Sequence, residues 1–256
     1  MSNIVAKGID VSTHNGTVNW NLVKSNPHAQ FAMLRCGYGR IASQKDAQFE
    51  ANYAGAKAAG IPVGAYHYSY AMSAAEAVLE AKACLEMIKG KQFEYPVCFD
   101  LEEPKQLALP AATQAAIIVA FCDTLEKAGY WVSVYASASP LSAIPYDGIK
   151  RFDVWVAHYT AQGVTKPSFN RPYGIWQFSN SGNIPGANTG KGVCDLNYAY
   201  QDYPKLIKVA GLNGFSKDRY VYDVQALNMA TEGEAKTIAG MIGEKGYKAE
   251  IVKRKV

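Results

Sequence analysis

The run PVCFDLEEP at positions 96–104 holds two acids at a spacing suited to proton transfer. In an extended strand alternate side chains share a face, so Cys98, Asp100 and Glu102 point one way and Val97, Phe99 and Leu101 the other. Two acids on one face of an otherwise apolar strand are expensive to bury. Carboxyls held close together also resist double ionisation, so one keeps its proton to higher pH while its neighbour carries charge. A general acid beside a carboxylate partner needs that division. The alternative reading of the same run is a strand end that makes surface salt bridges. Asp10 closes the segment GIDVS, and Asp195 lies in GVCDLNYAY. In a closed barrel the first and last strands are neighbours, which would turn both acids toward the same opening as Asp100 and Glu102. Taken alone, each also suits a turn or a helix cap.

Aromatic residues gather at the ends of the same strand-like segments: Tyr38, Tyr66, Tyr68, Tyr70, Tyr135, Trp155, Tyr159 and Trp176. Flat rings with polar tips stack on sugar faces while hydrogen-bonding hydroxyls, although any single ring also suits packing. Their recurrence favours an extended carbohydrate groove. Other chemistries lack support. His14, His28, His67 and His158 do not form a metal-ligand spacing, so neither a metal nor a cofactor is expected. No serine sits in a Gly-x-Ser-x-Gly elbow, and Cys36, Cys84, Cys98, Cys122 and Cys194 fall in no nucleophile motif. The cysteines, odd in number and mostly in apolar stretches, read as reduced buried thiols, with Cys98 a small filler deeper in the barrel.

Short β-branched or aromatic runs alternate with helical patterns through the first half, which predicts a parallel sheet. The strand-like segments are GIDVS, FAMLRCGYG from Phe31, PVGAYHYSY from Pro62 and PVCFDLEEP. Ala-rich helical stretches lie at 46–59, 73–89 and 111–128, the second opened by Ser73 with Glu76 in capping-box register. In the second half WVSVYASAS, FDVWVAHYT, YGIWQFSNS and GVCDLNYAY read as four more strands, separated by short stretches rich in Gly, Pro and Asn. The expected fold class is α/β, an irregular (β/α)8 TIM-like barrel with a small C-terminal β-α-β segment. A doubly wound open sheet would want a phosphate-binding glycine turn after the first strand, and none is present.

Residues 1–210 are expected to form the barrel, 211–216 a linker, and 217–256 a strand (RYVYDVQAL), an amphipathic helix (EGEAKTIAGMIGEKG) and a second strand (YKAEIVKRK). So short a β-α-β unit is marginal alone. The tail should dock on the barrel, pair with a second copy as a homodimer, or be half of a larger module. Across the 256 residues, 49% hydrophobic and 19% charged composition excludes intrinsic disorder. The balance of 26 Lys and Arg against 22 Asp and Glu, 26 − 22 = +4, permits acidic polymers as partners but falls short of a nucleic-acid-binding balance. No run of about 18 apolar residues predicts membrane insertion, and MSNIVAKGID does not read as a signal peptide.

In their order along the chain these motifs resemble the glycoside hydrolase family 25 lysozymes, the Chalaropsis-type muramidases found among bacterial autolysins, fungal enzymes and phage endolysins. The likeness runs from about Ile4 to about Tyr203 and is carried by GIDVSTHNGTVNW, AYHYSYA, FDLEEP, DVWVAHY, YGIWQF and CDLNYAY. It implies an irregular β/α barrel that cuts the β-1,4 bond between N-acetylmuramic acid and N-acetylglucosamine, with peptidoglycan glycan strands as partner. On the matching positions Glu102 would be the general acid and Asp100 its assisting carboxylate, with Asp10 and Asp195 flanking the site. Tyr66, Trp155, Tyr159 and Trp176 would shape the sugar groove, and Tyr38, Tyr68, Tyr135 and Gln177 complete the expected substrate-binding set. A chitinase-like glycosidase and a catalytically silent peptidoglycan-binding protein are the competing readings. The tail resembles half of a SPOR-type peptidoglycan-binding module. An endolysin made in the host cytoplasm and released onto the wall is expected, in preference to a secreted, clostridial-type autolysin.

Overall fold

Period-two alternation in the strand-like segments, with helical patterning between them, closes into a barrel in the computed structural model, which describes residues 3–159, 165–217, 231–244 and 251. The strands are β1 (Ala6–Val11), β2 (Phe31–Tyr38), β3 (Val63–Tyr68), β4 (Val97–Asp100), β5 (Val132–Ser137), β6 (Asp153–Ala157), β7 (Ile175–Gly182) and β8 (Cys194–Ala199). Each pairs with the next, and β8 returns to β1. Neighbours from β1 to β7 run parallel, whereas β8 is antiparallel to both β7 and β1. The reversal follows from the Gly-, Pro- and Asn-rich connection 183–193, which is too short to carry a helix back along the barrel for a parallel strand. This is where the expected irregularity lies.

The three longer helices of the first half form where alanine-rich patterning places them, at Phe49–Ala58, Ala74–Ile88 and Ala111–Lys127. Ser73 Oγ accepts from the Glu76 N–H at 3.3 Å, as an N-cap should. The reciprocal arm differs from a capping box, because Glu76 Oε2 accepts instead from the Met72 N–H at 2.7 Å.

Strand parity sorts the side chains. Ile9, Val11, Ala32, Leu34, Val63, Ala65, Val97, Phe99, Val132, Val134, Val154, Val156 and Trp176 belong to the layer between strands and helices. Phe31, Met33, Cys98, Tyr135, Trp155, Ile175 and Ala199 fill the interior instead. Phe31 needs room there: a side chain at Gly8 on the neighbouring strand would collide with its ring. The N-terminal end of the barrel is closed by rings, with Phe31 stacked on Tyr95 at 4.2 Å and Tyr95 against Tyr203 at 5.4 Å. Tyr203 opens the helix Tyr203–Ala210, and its hydroxyl donates to Asp153 Oδ2 at 2.9 Å.

Residues 211–216, expected to be a linker, pack on the barrel. Asn213 is fully buried at a positive φ of 57°, a conformation Asn tolerates better than most side chains. Its Nδ2 donates to the Phe93 and Tyr95 carbonyls at 3.1 and 2.8 Å, and its Oδ1 accepts from the Trp131 N–H at 2.7 Å. Composition marked a break in periodicity, which a capping and anchoring turn shares with a linker.

The chain divides into two compact units, residues 1–218 and 219–256. In the second the helix Glu232–Glu244 begins with a capping box, in which Thr231 Oγ1 accepts from the Glu234 N–H and Glu234 Oε2 from the Thr231 N–H. The strand expectations RYVYDVQAL and YKAEIVKRK lie outside the described residues, Ile251 excepted. No described helix is long and apolar enough to cross a membrane.

Candidate active site

A cavity of about 520 Å³ opens at the C-terminal ends of the parallel strands. Asp10, Asp100, Glu102 and Asp195 all line it. Their convergence follows from parity and closure. Asp100 ends β4 on the same face as Cys98, Glu102 follows two residues on, and β1–β8 pairing sets Asp10 directly opposite Asp195.

The environment pushes every one of these acids toward its protonated form. Asp100 is 2% exposed, and its Oδ1 has no hydrogen-bond partner among the described residues. Burial first, then the charges of Glu102 and Asp10, hold its pKa well above the ordinary carboxylate range, against the opposing pull of Arg35. Burial likewise raises Glu102, and the Asp195 charge adds to it. The Tyr135 hydroxyl, 3.4 Å from Glu102 Oε1, and the Lys191 ammonium work the other way. Asp10 is raised well above its usual range by burial and by the charge of Asp195, against the pull of the Asn197 and Gln177 amides, and burial raises Asp195 as well.

A single network positions Asp10. Its Oδ2 accepts from Gln177 Nε2 at 2.9 Å and from Asn197 Nδ2 at 2.8 Å. Gln177 Oε1 in turn accepts from the Tyr135 and Tyr159 hydroxyls at 2.7 and 2.9 Å, and Asn197 Oδ1 accepts from Trp155 Nε1 at 2.8 Å. The aromatic wall and the acid floor are therefore one hydrogen-bonded unit, which fixes the amide orientations.

Tyr66, Tyr68, Tyr135, Trp155, Tyr159 and Gln177 line the cavity as the sequence reading places them. Tyr38 does not. It stands at the rim, 37% exposed, edge-on to Tyr70, whose ring is 5.0 Å from that of Tyr68. Trp176 is misplaced by one residue of parity: Gln177 faces inward, so Trp176 faces out, is 1% exposed, packs on Phe178 and Tyr198, and donates its indole N–H to the His158 carbonyl. It holds the wall from behind.

The cavity also takes Ser12, His14, Asn15, Arg35, Asn180, Lys191 and Val193, which the sequence reading did not assign to the site. Arg35 carried a readable signal, since it shares the inward parity of Phe31 and Met33 in an otherwise apolar strand. Its Nε is held by Asp46 Oδ2 at 2.7 Å. Lys191 had none. It arrives because Gly190 lets the 189–191 backbone lie against residues 14–15, where any side chain would meet the His14 carbonyl. The Gly190 and Lys191 N–H groups donate to the Asn15 and His14 carbonyls at 2.8 and 3.1 Å.

Residues 9–187 match the family described as Glycosyl hydrolases family 25. The chain is 27% identical over 191 residues to the autolytic lysozyme of Clostridium acetobutylicum, covering 75% of this chain and 55% of that protein. It therefore spans little more than half the length of that relative. Among solved structures, the CTP1L endolysin superposes with a TM-score of 0.68 at 27% identity, over 80% of this chain and 70% of that one. The bacterial lysozyme of Streptomyces coelicolor superposes with a TM-score of 0.66 at 27% identity, over 82% of this chain and 98% of that one.

Proposed function

The chain belongs to family 25 of the glycosyl hydrolases, and from that premise we propose that it is a peptidoglycan muramidase, cleaving the β-1,4 bond between N-acetylmuramic acid and N-acetylglucosamine. The observation that carries the reading is the acid pair Asp100 and Glu102, both held toward the protonated state at the mouth of an aromatic-walled cavity. Lysozyme-named relatives support the substrate.

Glu102 protonates the leaving glycosidic oxygen. Asp100, its proton released to solvent in the bound complex, receives the N–H of the 2-acetamido group as a carboxylate and turns its carbonyl toward C1, so that the substrate's own amide displaces the leaving group. Asp10, opposite Asp195, holds the floor through Gln177 and Asn197, while Tyr66, Trp155 and Tyr159 flank the sugar rings. In this reading residues 1–210 are the catalytic part, and 217–256 bind wall polymer or pair with a second copy. The protein is made in a host cytoplasm and reaches the wall on release.

Digestion of purified walls tests the reading. Borohydride reduction of the fragments followed by mass analysis should place the new reducing ends on muramic acid. Reducing ends on glucosamine, or turnover of chitin with none of walls, would point to a chitinase-like enzyme. Early NMR spectra should show the β anomer, because two inversions at C1 retain configuration. The α anomer appearing first would remove the amide-assisted route.

Tyr135→Phe supplies a test of how the acid is tuned. The phenol's hydrogen bond draws the Glu102 pKa down from where burial would set it, so its removal moves the alkaline limb of the kcat/KM profile to higher pH. A limb that stays put would mean that Tyr135 serves Gln177 alone.

A further inference from the structure

Behind the cavity wall, three soft ligands converge that sequence spacing conceals, since Cys36 is 31 residues from His67 and 48 from Cys84. Cys36 on β2, His67 on β3 and Cys84 on the helix Ala74–Ile88 are all fully buried. Cys36 Sγ lies 3.7 Å from Cys84 Sγ and 4.0 Å from His67 Nδ1, and the three ligand atoms fall within 4.8 Å of one another. A tetrahedral zinc ion with Zn–S bonds of about 2.3 Å and Zn–N of about 2.05 Å holds two sulfurs about 3.8 Å apart, and sulfur and nitrogen about 3.6 Å apart. The sulfur pair already has that spacing, and the imidazole must close by a few tenths of an ångström on the Cys36 side and by up to about 1.2 Å on the Cys84 side.

The histidine is also set in the ligating tautomer. His67 Nε2 is 2.9 Å from the Gly39 carbonyl oxygen, which only accepts. The ring proton therefore sits on Nε2, leaving the Nδ1 lone pair directed at the sulfurs, and a backbone carbonyl on the far nitrogen is the usual partner of a metal-bound histidine. Charge points to a divalent ion. Two thiolates, one neutral imidazole and Zn²⁺ sum to zero, so the loaded site leaves no net charge in a dry interior. Loading is not a redox step: each cysteine gives its thiol proton to solvent as its sulfur takes up the metal bond. The Tyr66 carbonyl oxygen, 3.2 Å from Cys36 Sγ, stands beside the set as a harder donor.

We propose that Cys36, His67 and Cys84 form a zinc site that staples β2 and β3 to the helix packed over them. Its place in the fold gives it a consequence for the cavity. Arg35 and Tyr66, each one residue before a ligand, project from the opposite faces of the same strands into the cavity, so the ion fixes the two strands that present them.

Metal analysis of the full chain decides the matter. The protein is produced in zinc-supplemented medium, purified without chelator and measured by inductively coupled plasma mass spectrometry. The expected content is close to one zinc per chain, falling by roughly tenfold or more in Cys36→Ala and in Cys84→Ala. Cys122→Ala, whose thiol is buried elsewhere, keeps its zinc. The wild-type chain produced with cobalt should show thiolate-to-cobalt charge-transfer absorption, a reading that does not depend on the variants folding. Wild-type protein with only trace zinc and no such band, or undiminished zinc in the Cys36→Ala/Cys84→Ala double variant, overturns the proposal.

Discussion

Glu102→Gln stops the clearing of wall suspensions, the rate falling by about 10²–10⁴-fold, while the variant still sediments with walls. Glutamine keeps the size and planarity of the side chain and still accepts from the Tyr135 hydroxyl, so the groove is unaltered. It has no proton to give to a leaving oxygen that departs as a poor alkoxide. The loss should therefore depend on the leaving group. On an aryl glycoside whose phenolate leaves with little help, Glu102→Gln falls far less than on walls. Equal losses on both substrates would take the acid role from Glu102. The pH profile makes the same point independently. A general acid must be protonated to act, and burial raises the Glu102 pKa, so on the alkaline side wild-type kcat/KM falls as Glu102 gives up its proton. The residual activity of the glutamine variant should lack that alkaline limb.

Much of this arrangement was legible because parity in a barrel strand is a simple rule. Phe99 and Cys98 went to the outer and inner layers as alternation requires, and Asp100 and Glu102 reached the cavity they were expected to share. The error at Trp176 came from reading aromatic character without applying the same rule to YGIWQF, where only one of Trp176 and Gln177 is able to face in. Arg35 was available to that rule too. Contacts between distant loops were not available to any local rule. Lys191 reaches the site through backbone hydrogen bonds to residues 14 and 15, and Cys36, His67 and Cys84 meet only because β2, β3 and one helix pack together. The antiparallel β8 was foreshadowed by the missing helix before it, since connection length and strand direction are linked.

Asp100→Asn also abolishes wall clearance, yet the variant melts at a higher temperature than the wild-type chain at neutral pH. Asp100 is 2% exposed with Oδ1 unpartnered among the described residues. Burial, reinforced by Glu102 and Asp10, lifts its pKa in the folded protein well above the ordinary value. The folded state therefore binds this proton more tightly than the unfolded chain does. Stability is complete below the ordinary carboxylate pKa of about 3.9 and declines as pH climbs from there through the raised folded value, because the unfolded chain then releases a proton the folded one keeps. Asparagine has nothing to titrate and no charge to desolvate. The gap in Tm between variant and wild type should be small near pH 4 and widen toward neutrality; a variant that melts lower throughout would mean that Arg35 satisfies the carboxylate after all. Such a destabilising group is kept only where chemistry uses it. Here the substrate's amide acquires positive character as its carbonyl bonds to C1, which favours release of the Asp100 proton to solvent, and the resulting carboxylate on the N–H stabilises that charge where a neutral amide does so weakly. The activated aryl glycoside, which spares Glu102→Gln, therefore does not spare Asp100→Asn: the two substitutions separate by leaving group, one removing the proton and the other the internal nucleophile's support.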